Sequence, residues 1–348
     1  MIISKTPCRI SFAGGGSDIA AFYREHGGAV LSVTIDKYIY VNINSKFDHR
    51  IRVSYSKTEE VDTVGEVQHP LVRECLKLVN PARGVEITSI ADIPSRGTGL
   101  GSSSSFTVGL LNSLFAFAGR HAGPEQLAQL AVDIEINKCG QPIGKQDQYA
   151  AAYGDLKMYE FHPDGTVGVS PIVCTAATFQ RLQSNLALYY TGVTRSASEI
   201  LEKQTQVLGQ SPSAIASMKQ MVGQARALRS ELESNNPDGL GELLHEGWML
   251  KRALSDGITN RQIDDWYTKA RAAGALGGKI LGAGGGGFLL LYAPVERQRD
   301  IAAALPQLRR VPFKFEREGS KIIFYQPTEL DLDSEAPDPS IIPAETAR

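Results

Sequence analysis

The sequence has few cysteines and little excess charge of either sign, and each scarcity excludes a class of protein. The four cysteines form no CxxC pair, and the six histidines stand in no HExxH or similar spacing. Neither a disulfide framework nor a zinc site is therefore indicated. The formal net charge of −2 argues against a surface that neutralises the many phosphates of a nucleic acid or a lipid bilayer.

Long apolar runs are also missing. No stretch of about 18 apolar residues occurs, and residues 1–16 contain no apolar segment followed by a small-residue cleavage site. We therefore expect a cytoplasmic protein with neither a membrane nor a nucleic-acid partner. With 348 residues, of which 42% are hydrophobic and 21% are charged, the chain has the composition of a globular protein with room for two domains.

Hydrophobic spacing gives a coarse order of strands and helices. Apolar, β-branched or alternating stretches predict strands at 29–35, 38–43, 51–55, 85–89, 186–190 and 288–292. From Phe106 to Phe117 apolar residues recur at helical spacing. A second helix begins at Pro124 and carries Glu135 near its end. Ser196 and Glu199 have the spacing of a capping box, and helical patterns continue to about residue 272.

The clearest chemical signal is a glycine-rich loop, Gly97–Ser105, between a predicted strand and a predicted helix. Glycines let backbone N–H groups approach an anion, and the helix N-terminus adds positive potential. The loop has neither the GxxxxGK[ST] spacing nor the lysine of a Walker A motif, which disfavours a P-loop NTPase. Phosphate is the predicted ligand, and a plain turn between strand and helix is the alternative.

Two further glycine loops lie far from this one in sequence. In chain order, Ala13–Asp18 is the first loop, Gly97–Ser105 the second and Gly282–Gly287 the third. Gly282–Gly287 contains a GxGxxG pattern, but a strand follows it where a dinucleotide-binding fold requires a helix. A loop with this much glycine is costly to order, which favours close approach of its backbone to a ligand. Ala13–Asp18 ends in Ser17 and Asp18, which are able to bind hydroxyl groups. A turn or a helix N-cap is the alternative for this pair.

In this order the three loops resemble the three motifs of the GHMP kinases, named for galacto-, homoserine, mevalonate and phosphomevalonate kinases. Pro7–Asp18 resembles motif one, Gly97–Ser105 motif two and Lys279–Phe288 motif three, so the resemblance covers nearly the whole chain. Within the superfamily, residues 144–149, residues 190–199 and the GAGGGGF loop look most like bacterial D-glycero-D-manno-heptose 7-phosphate kinases. The implied reaction is phosphorylation of an anomeric hydroxyl.

The resemblance also implies a fold and a set of ligands. The implied fold is α+β, with an N-terminal domain resembling ribosomal protein S5 domain 2 and a C-terminal ferredoxin-like domain. We expect the ATP-binding domain at residues 1–182, the second domain at 183–327 and a loosely ordered tail at 328–348. ATP and Mg²⁺ are the implied cofactors, and a small-molecule sugar or sugar phosphate is the implied acceptor.

Four residues receive central roles from the resemblance. Asp147 corresponds to the catalytic aspartate that takes the proton of the acceptor hydroxyl. Arg9 would keep Asp147 ionised and stabilise charge between acceptor and γ-phosphate. Ser103 corresponds to a Mg²⁺ ligand, and Glu135 is the candidate carboxylate ligand. Each role has a structural alternative. Asp147 could stabilise its own turn, Arg9 could form a surface ion pair, and Glu135 could lie at a solvated helix end.

The other predicted contacts concern the ATP phosphates and the acceptor. The predicted phosphate contacts are Arg96, Gly97, Gly99, Gly101, Ser102, Ser103, Ser104 and Ser105. The predicted acceptor contacts are Ser17, Asp18, Lys145, Arg195, Lys279, Gly284 and Gly285, in which the basic residues would bind an acceptor phosphate. A kinase for another sugar such as fucose, and a sugar and nucleotide sensor without catalysis, remain alternative hypotheses.

Overall fold

The computed structural model describes residues 1–81, 84–94, 97–193, 197–208 and 210–327. Arg96, Arg195 and the tail 328–348 lie outside the described residues, so the expectations for them stay predictions. So does the capping box, because Ser196 lies outside as well. None of the helices in the described ranges is long and apolar enough to cross a membrane.

The secondary structure alternates between strands and helices along the chain. In the described ranges the strands are β1 Ile2–Ala13, β2 Gly28–Ser45, β3 Ile51–Ser54, β4 Thr58–Val61, β5 Val85–Ala91, β6 Leu156–Phe161, β7 Val167–Pro171, β8 Leu186–Tyr190, β9 Gly277–Ile280, β10 Phe288–Tyr292, β11 Arg309–Val311, β12 Phe315–Glu316 and β13 Lys321–Tyr325. The helices are α1 Ala20–His26, α2 Pro70–Val79, α3 Ser102–Phe117, α4 Pro124–Val132, α5 Gln146–Tyr153, α6 Ala176–Ser184, α7 Ala197–Leu208, α8 Pro212–Glu233, α9 Leu240–Arg252, α10 Arg261–Ala272 and α11 Gln298–Ala304.

A first sheet is organised around the long strand β2. Antiparallel β1 pairs along one edge of β2, while β6 and β5 pair with successive segments of the other edge. The two strands predicted at 29–35 and 38–43 are therefore one strand of 18 residues. The polar residue Asp36 does not end the strand, because its polar groups are bonded to Lys314. The Asp36 N–H donates to Lys314 O, and the Asp36 carboxylate accepts from Lys314 N.

The end of the described chain returns to this first sheet. β12 pairs with β2, and β13 pairs with β1 along the edge opposite β2. Residues 315–325, which fall within the predicted second domain, thus hydrogen-bond to strands of the first 45 residues. The predicted boundaries at 182 and 327 stay predictions.

A second, antiparallel sheet has the strand order β11-β8-β10-β9, and α9 packs against it. Its inner strand β10 is buried at every position. Each large apolar side chain buried in this way contributes about 1.5–3 kcal/mol to stability. The predicted strands 186–190 and 288–292 are confirmed, and the structure shows that they pair with each other.

Helix α3 connects the core of the first sheet to the glycine loop before it. The helix packs on β1 and β2, and a Cβ on Gly109 would lie 2.6 Å from Thr6 Oγ1. Glycine therefore allows the helix and the strand to approach closely, and Ser4 Oγ donates to Gly109 O across 2.8 Å. This packing fixes the N-terminus of α3 beside Arg9 of β1.

Candidate active site

The second and third glycine loops pack directly against each other. A Cβ on Gly99 would lie 2.3 Å from Leu281 O, and one on Gly287 would lie 2.5 Å from Thr98 O. Gly99 also has φ of +75°, a conformation that strains any residue with a Cβ. The loop 97–101 and the loop 282–287 therefore pack backbone against backbone, and larger residues would separate them.

The third loop uses its glycines for contacts within the protein. A Cβ on Gly284 would lie 2.6 Å from Ile258 O, and the Gly285 N–H donates to the same oxygen across 2.9 Å. A Cβ on Gly286 would lie 2.3 Å from Val193 O. These close approaches account for the glycines without a ligand. The predicted acceptor contacts of Gly284 and Gly285 stay predictions.

Arg9 and Asp147 form a two-pronged ion pair beside the second loop. Arg9 Nε donates to Asp147 Oδ1 and Arg9 Nη2 to Asp147 Oδ2, each across 2.7 Å. The remaining terminal nitrogen, Nη1, donates to Gly99 O across 2.6 Å. The Arg9 side chain is 6% exposed and that of Asp147 24%, so the pair is no exposed surface bridge. Asp147 lies in the first turn of α5, where the helix dipole favours a carboxylate.

Glu135 is buried behind the second loop. It lies in a π-helical turn, Asp133–Lys138, that continues α4. Its carboxylate accepts from Ser103 Oγ at 3.0 Å, Ser104 Oγ at 2.7 Å and Gln148 Nε2 at 2.5 Å. Burial raises the pKa of Glu135, although these three donors oppose the shift. The predicted alternative of a solvated helix end is wrong, since Glu135 has no exposed surface.

The serines that open α3 point in different directions. Ser103 is exposed, whereas Ser104 and Ser105 are buried. Ser105 donates its hydroxyl to Pro7 O and its backbone N–H to Gly101 O, so both of its donors are used within the protein. Its predicted phosphate contact therefore needs correction: helical phase turns Ser105 towards β1. The exposed hydroxyl of Ser103 and the first N–H groups of α3 remain the predicted anion donors.

In the first loop the structure separates Ser17 from Asp18. Ser17 is buried, and its hydroxyl both donates to Ala29 O at 3.2 Å and accepts from Ala29 N at 3.1 Å. It therefore joins the loop to β2, and this structural contact replaces the predicted one to an acceptor. Asp18 accepts from Gly16 N, Gln146 N and Gln146 Nε2. Burial and, secondarily, repulsion from Asp147 raise the pKa of Asp18.

Two predicted phosphate-binding lysines already have partners. Lys279 Nζ is buried and donates to Ser11 O and Phe12 O at 3.0 and 3.2 Å. It thereby joins β9 to β1, and burial lowers its pKa well below the usual value. Lys145 is partly exposed, and its Nζ donates to Gly165 O at 2.7 Å. Of the two, Lys145 is the one that solvent reaches.

Lys251 is a further cation at the site that sequence reasoning missed. It lies at the end of α9, is 4% exposed and donates to Gly282 O in the third loop. Burial, with repulsion from Arg9, lowers its pKa to about 8, while Asp18 and Asp147 oppose the shift. Nothing local in the sequence marks Lys251, because a lysine near a helix C-terminus is ordinarily a solvated residue that complements the helix dipole.

Comparison with known families decides what this arrangement is. Residues 70–155 match the model for the GHMP kinases N terminal domain, and residues 228–311 match the model for the GHMP kinases C terminal domain. The chain belongs to the GHMP kinases. It is thus a small-molecule kinase of a family that uses ATP as phosphate donor, and the second glycine loop lies inside the N-terminal match.

Individual GHMP kinases resemble the chain over most of its length. It is 28% identical to a D-glycero-alpha-D-manno-heptose 7-phosphate kinase of Campylobacter jejuni, over 92% of this chain and 98% of that protein. A bifunctional fucokinase/GDP-fucose pyrophosphorylase of Arabidopsis thaliana is 25% identical over 86% of this chain and 31% of that protein. The crystal structure of a D-glycero-D-manno-heptose 1-phosphate kinase from Bacteroides thetaiotaomicron superposes with a TM-score of 0.76 and 25% identity, covering 92% and 98% of the two chains.

These matches confirm the predicted GHMP kinase fold. The sequence motifs located the loops, Arg9, Asp147 and Glu135, which the structure brings together around the start of α3. The motifs did not reveal Gln148 or Lys251, because these residues reach the site through tertiary packing. The position of Gln148 directly after Asp147 in sequence could have indicated that it lies at the site.

Lys251 gives this GHMP kinase an expected pH dependence of stability. The unfolded chain holds the Lys251 proton up to pH 10.5, whereas the folded chain releases it near pH 8. The folded state therefore gains stability as pH rises through this window, by about 3 kcal/mol relative to Lys251→Met. Thermal or urea unfolding of both proteins from pH 7 to 10 measures the difference. Lys219→Met, at an exposed position of α8, is the control for loss of one charge, and a flat difference for Lys251→Met contradicts the prediction.

Proposed function

We propose that this chain transfers the γ-phosphoryl group of ATP to the anomeric hydroxyl of D-glycero-D-manno-heptose 7-phosphate, which gives the 1,7-bisphosphate and ADP. The observation that carries the proposal is the Arg9–Asp147 pair, bonded through Arg9 Nη1 to Gly99 of the second loop. A carboxylate, a guanidinium and an anion-binding helix N-terminus are thereby joined in one place, as phosphoryl transfer to a hydroxyl requires. Similarity to the Campylobacter protein over nearly the full length supports the heptose assignment.

In the proposed reaction Asp147 takes the proton of the anomeric hydroxyl while that oxygen attacks the γ-phosphorus. The bond from the γ-phosphorus to its bridging oxygen breaks, and ADP leaves with the electron pair. Asp147 can act while Arg9 holds it, because each carboxylate oxygen accepts more than one hydrogen bond. Arg9 orients the Asp147 carboxylate through two hydrogen bonds and places a fixed positive charge beside the transferred group.

We also propose that Ser103 and Glu135 hold Mg²⁺ together with the ATP phosphates. Their oxygens lie 3.0 Å apart, and a hydroxyl and a carboxylate are hard donors of the kind that this cation prefers. No cluster of three or more His, Cys, Asp or Glu suited to a metal occurs in the described part of the chain. This fits a cation held by few protein ligands and by substrate phosphates. When bound, Mg²⁺ neutralises charge on the transferred phosphate.

For the phosphate already on the acceptor we propose Lys145 as the principal ligand. It is partly exposed, and its backbone N–H contacts Asp18 O at 3.3 Å, which ties it to the first loop. The ammonium has three donors, of which one binds Gly165 O. Lys279 is already satisfied by two carbonyl groups, and Arg195 remains a predicted partner.

A substrate panel tests the proposal. Purified protein with ATP and Mg²⁺ is offered D-glycero-D-manno-heptose 7-phosphate, the corresponding 1-phosphate, unphosphorylated mannose, fucose, galactose and mevalonate. ADP release and the phosphorylated position are measured. We expect turnover of the 7-phosphate with a new phosphate on the anomeric oxygen. Both heptose phosphates are required because the similar proteins from Campylobacter and Bacteroides differ in the phosphate position of their names.

Each outcome of the panel has a distinct meaning. Turnover of fucose alone replaces the proposed acceptor with the sugar of the similar plant enzyme. Turnover of the heptose 1-phosphate alone moves the reacting hydroxyl away from the anomeric position. Absence of turnover on every sugar, with ATP bound, supports the alternative of a sensor without catalysis.

A further inference from the structure

Buried polar atoms without partners gather around the first glycine loop, Ala13–Asp18. Among the described residues, Ser11 Oγ, Gln146 Oε1 and Gln204 Nε2 are buried atoms that have no hydrogen-bond partner. Ser11 is 5% exposed and Gln204 1%. Buried side-chain polar atoms are nearly always satisfied in native proteins, so three exceptions in one place require an explanation.

These three side chains come from three separate elements and face the same two glycines. A Cβ on Gly15 would lie 3.2 Å from Ser11 Oγ of β1 and 3.6 Å from Gln146 Nε2 of α5. A Cβ on Gly16 would lie 2.5 Å from Gln204 Nε2 of α7. A side chain at Gly16 would therefore displace the Gln204 amide, and one at Gly15 would crowd Ser11 Oγ. The two glycines keep these groups together around bare backbone.

The orientation of the Gln146 amide is fixed by Asp18. Gln146 Nε2 donates to Asp18 Oδ1 across 2.9 Å, and the Gln146 backbone N–H donates to Asp18 Oδ2 across 3.1 Å. The reversed amide would place two oxygen acceptors against each other, so Oε1 is the atom left without a partner. The cluster consequently offers an acceptor from Gln146, a donor from Gln204 and a hydroxyl from Ser11 that serves as either.

This mixture of donors and acceptors selects a chemical class of ligand. Neighbouring hydroxyl groups of a polyol both donate and accept, so they can satisfy all three side chains at once. A carboxylate ligand would meet Gln146 Oε1 and the Asp18 carboxylate, which repel it. The first loop also lies next to the reacting residues, since Gln146 adjoins Asp147 in α5.

We propose that Gln204, together with Ser11 and Gln146, binds hydroxyl groups of the acceptor sugar and thereby sets which polyol the kinase accepts. The proposal rests on the proposed function for the reaction, but it assigns the recognition to residues that the three motifs do not mark as contacts. Gln204 is its main test, because it is contributed by α7, outside all three glycine loops. Ser11 and Gln146 supply the complementary groups.

Gln204→Met tests the proposal with a side chain of similar length that cannot hydrogen-bond. We expect KM for the sugar acceptor to rise about 3- to 10-fold, as for loss of one neutral hydrogen bond, while KM for ATP is unchanged. The ligand-free variant should melt no lower than wild type, because an unpartnered buried amide has been removed. The thermal shift produced by heptose 7-phosphate should shrink, whereas that produced by a non-hydrolysable ATP analogue should not.

Gln206→Met is the matched control, since Gln206 lies two residues further along the same helix and is exposed. It should leave every one of these quantities at the wild-type value. Ser11→Ala provides a second, smaller variant in case Gln204→Met folds poorly, and the same split between the two KM values is expected. Wild type should prefer the full sugar over analogues that each lack one hydroxyl. The analogue for which a variant loses this preference identifies the hydroxyl that the substituted residue binds.

An unchanged acceptor KM in both variants overturns the proposal. Equal rises of both KM values with a lower melting temperature also overturn it, because they show that Gln204 is a packing residue. A wrong substrate assignment gives a different result. The wild-type protein then turns over another sugar of the panel, and the wild-type protein and Gln204→Met are compared on that sugar. A wild-type protein whose melting temperature no sugar shifts contradicts both proposals.

Discussion

Asp147→Asn is expected to lower kcat by about two to four orders of magnitude, the range for loss of a positioned general base. Asparagine retains the size of aspartate but cannot take the proton of the acceptor hydroxyl. It also loses one of the two acceptor oxygens that Arg9 binds at 2.7 Å. Steady-state rates with the acceptor found in the panel measure kcat. Equilibrium binding of an ATP analogue is expected to persist, because the phosphate-binding N-terminus of α3 is unaltered.

Asp133→Asn is a suitable control for the loss of one carboxylate. Asp133 lies in the π-helical turn near Glu135, but its carboxylate accepts from Asn137 of the same turn at 2.8 Å. This control should retain nearly full turnover. Near-normal kcat in Asp147→Asn, or an equal loss in both variants, would show that Asp147 is not the base.

The second large effect is expected for Arg9→Met, which should lower kcat by about two to three orders of magnitude. Removal of a preorganised charge aimed at the developing transition state has effects of this size. Met also fails to bind Gly99 O, which Arg9 Nη1 holds at 2.6 Å. Arg9→Lys should recover only part of the rate, since an ammonium retains the charge but cannot bind Asp147 with the two-pronged geometry of a guanidinium.

A double-mutant cycle distinguishes this account from simple disruption of the fold. Arg9 and Asp147 act on one reaction step, so the double variant should be little slower than the worse single variant. If the rate reduction of the double variant equals the product of the two single reductions, the two residues act independently. Thermal unfolding of all three variants is the accompanying measurement, and wild-type-like unfolding with lost activity supports a catalytic role.

The sequence predicted the parts of the site that carry a recognisable local motif. Glycine-rich loops, the helix that follows the second of them and the pair Arg9 and Asp147 were accessible through motifs. Ser105 was misassigned because the direction of a side chain depends on the helical phase at the start of α3, which four identical serines do not reveal. Lys251 and Gln204 were missed because each reaches the site from a helix with an ordinary amphipathic pattern, through packing that has no local signal.

The fold was predictable to a similar degree. Strand positions such as 186–190 and 288–292 followed from apolar runs. The return of β12 and β13 to the first sheet did not, because strand partners depend on contacts between residues more than 270 positions apart. Short strands with partly exposed side chains also carry weak hydrophobic patterns. Pairing partners of this kind require the tertiary structure.

That return has a consequence for how the protein is made. The ribosome synthesises β1 and β2 well before their partners β13 and β12, which end at Tyr325 and Glu316. Until those residues emerge, the edge of β1 carries unpaired backbone groups, which invite pairing with another chain. The nascent chain therefore carries an incomplete first sheet until β12 and β13 have been synthesised. A reading frame interrupted between α5 and residue 315 would yield a polypeptide prone to aggregate, even though it contains both Arg9 and Asp147.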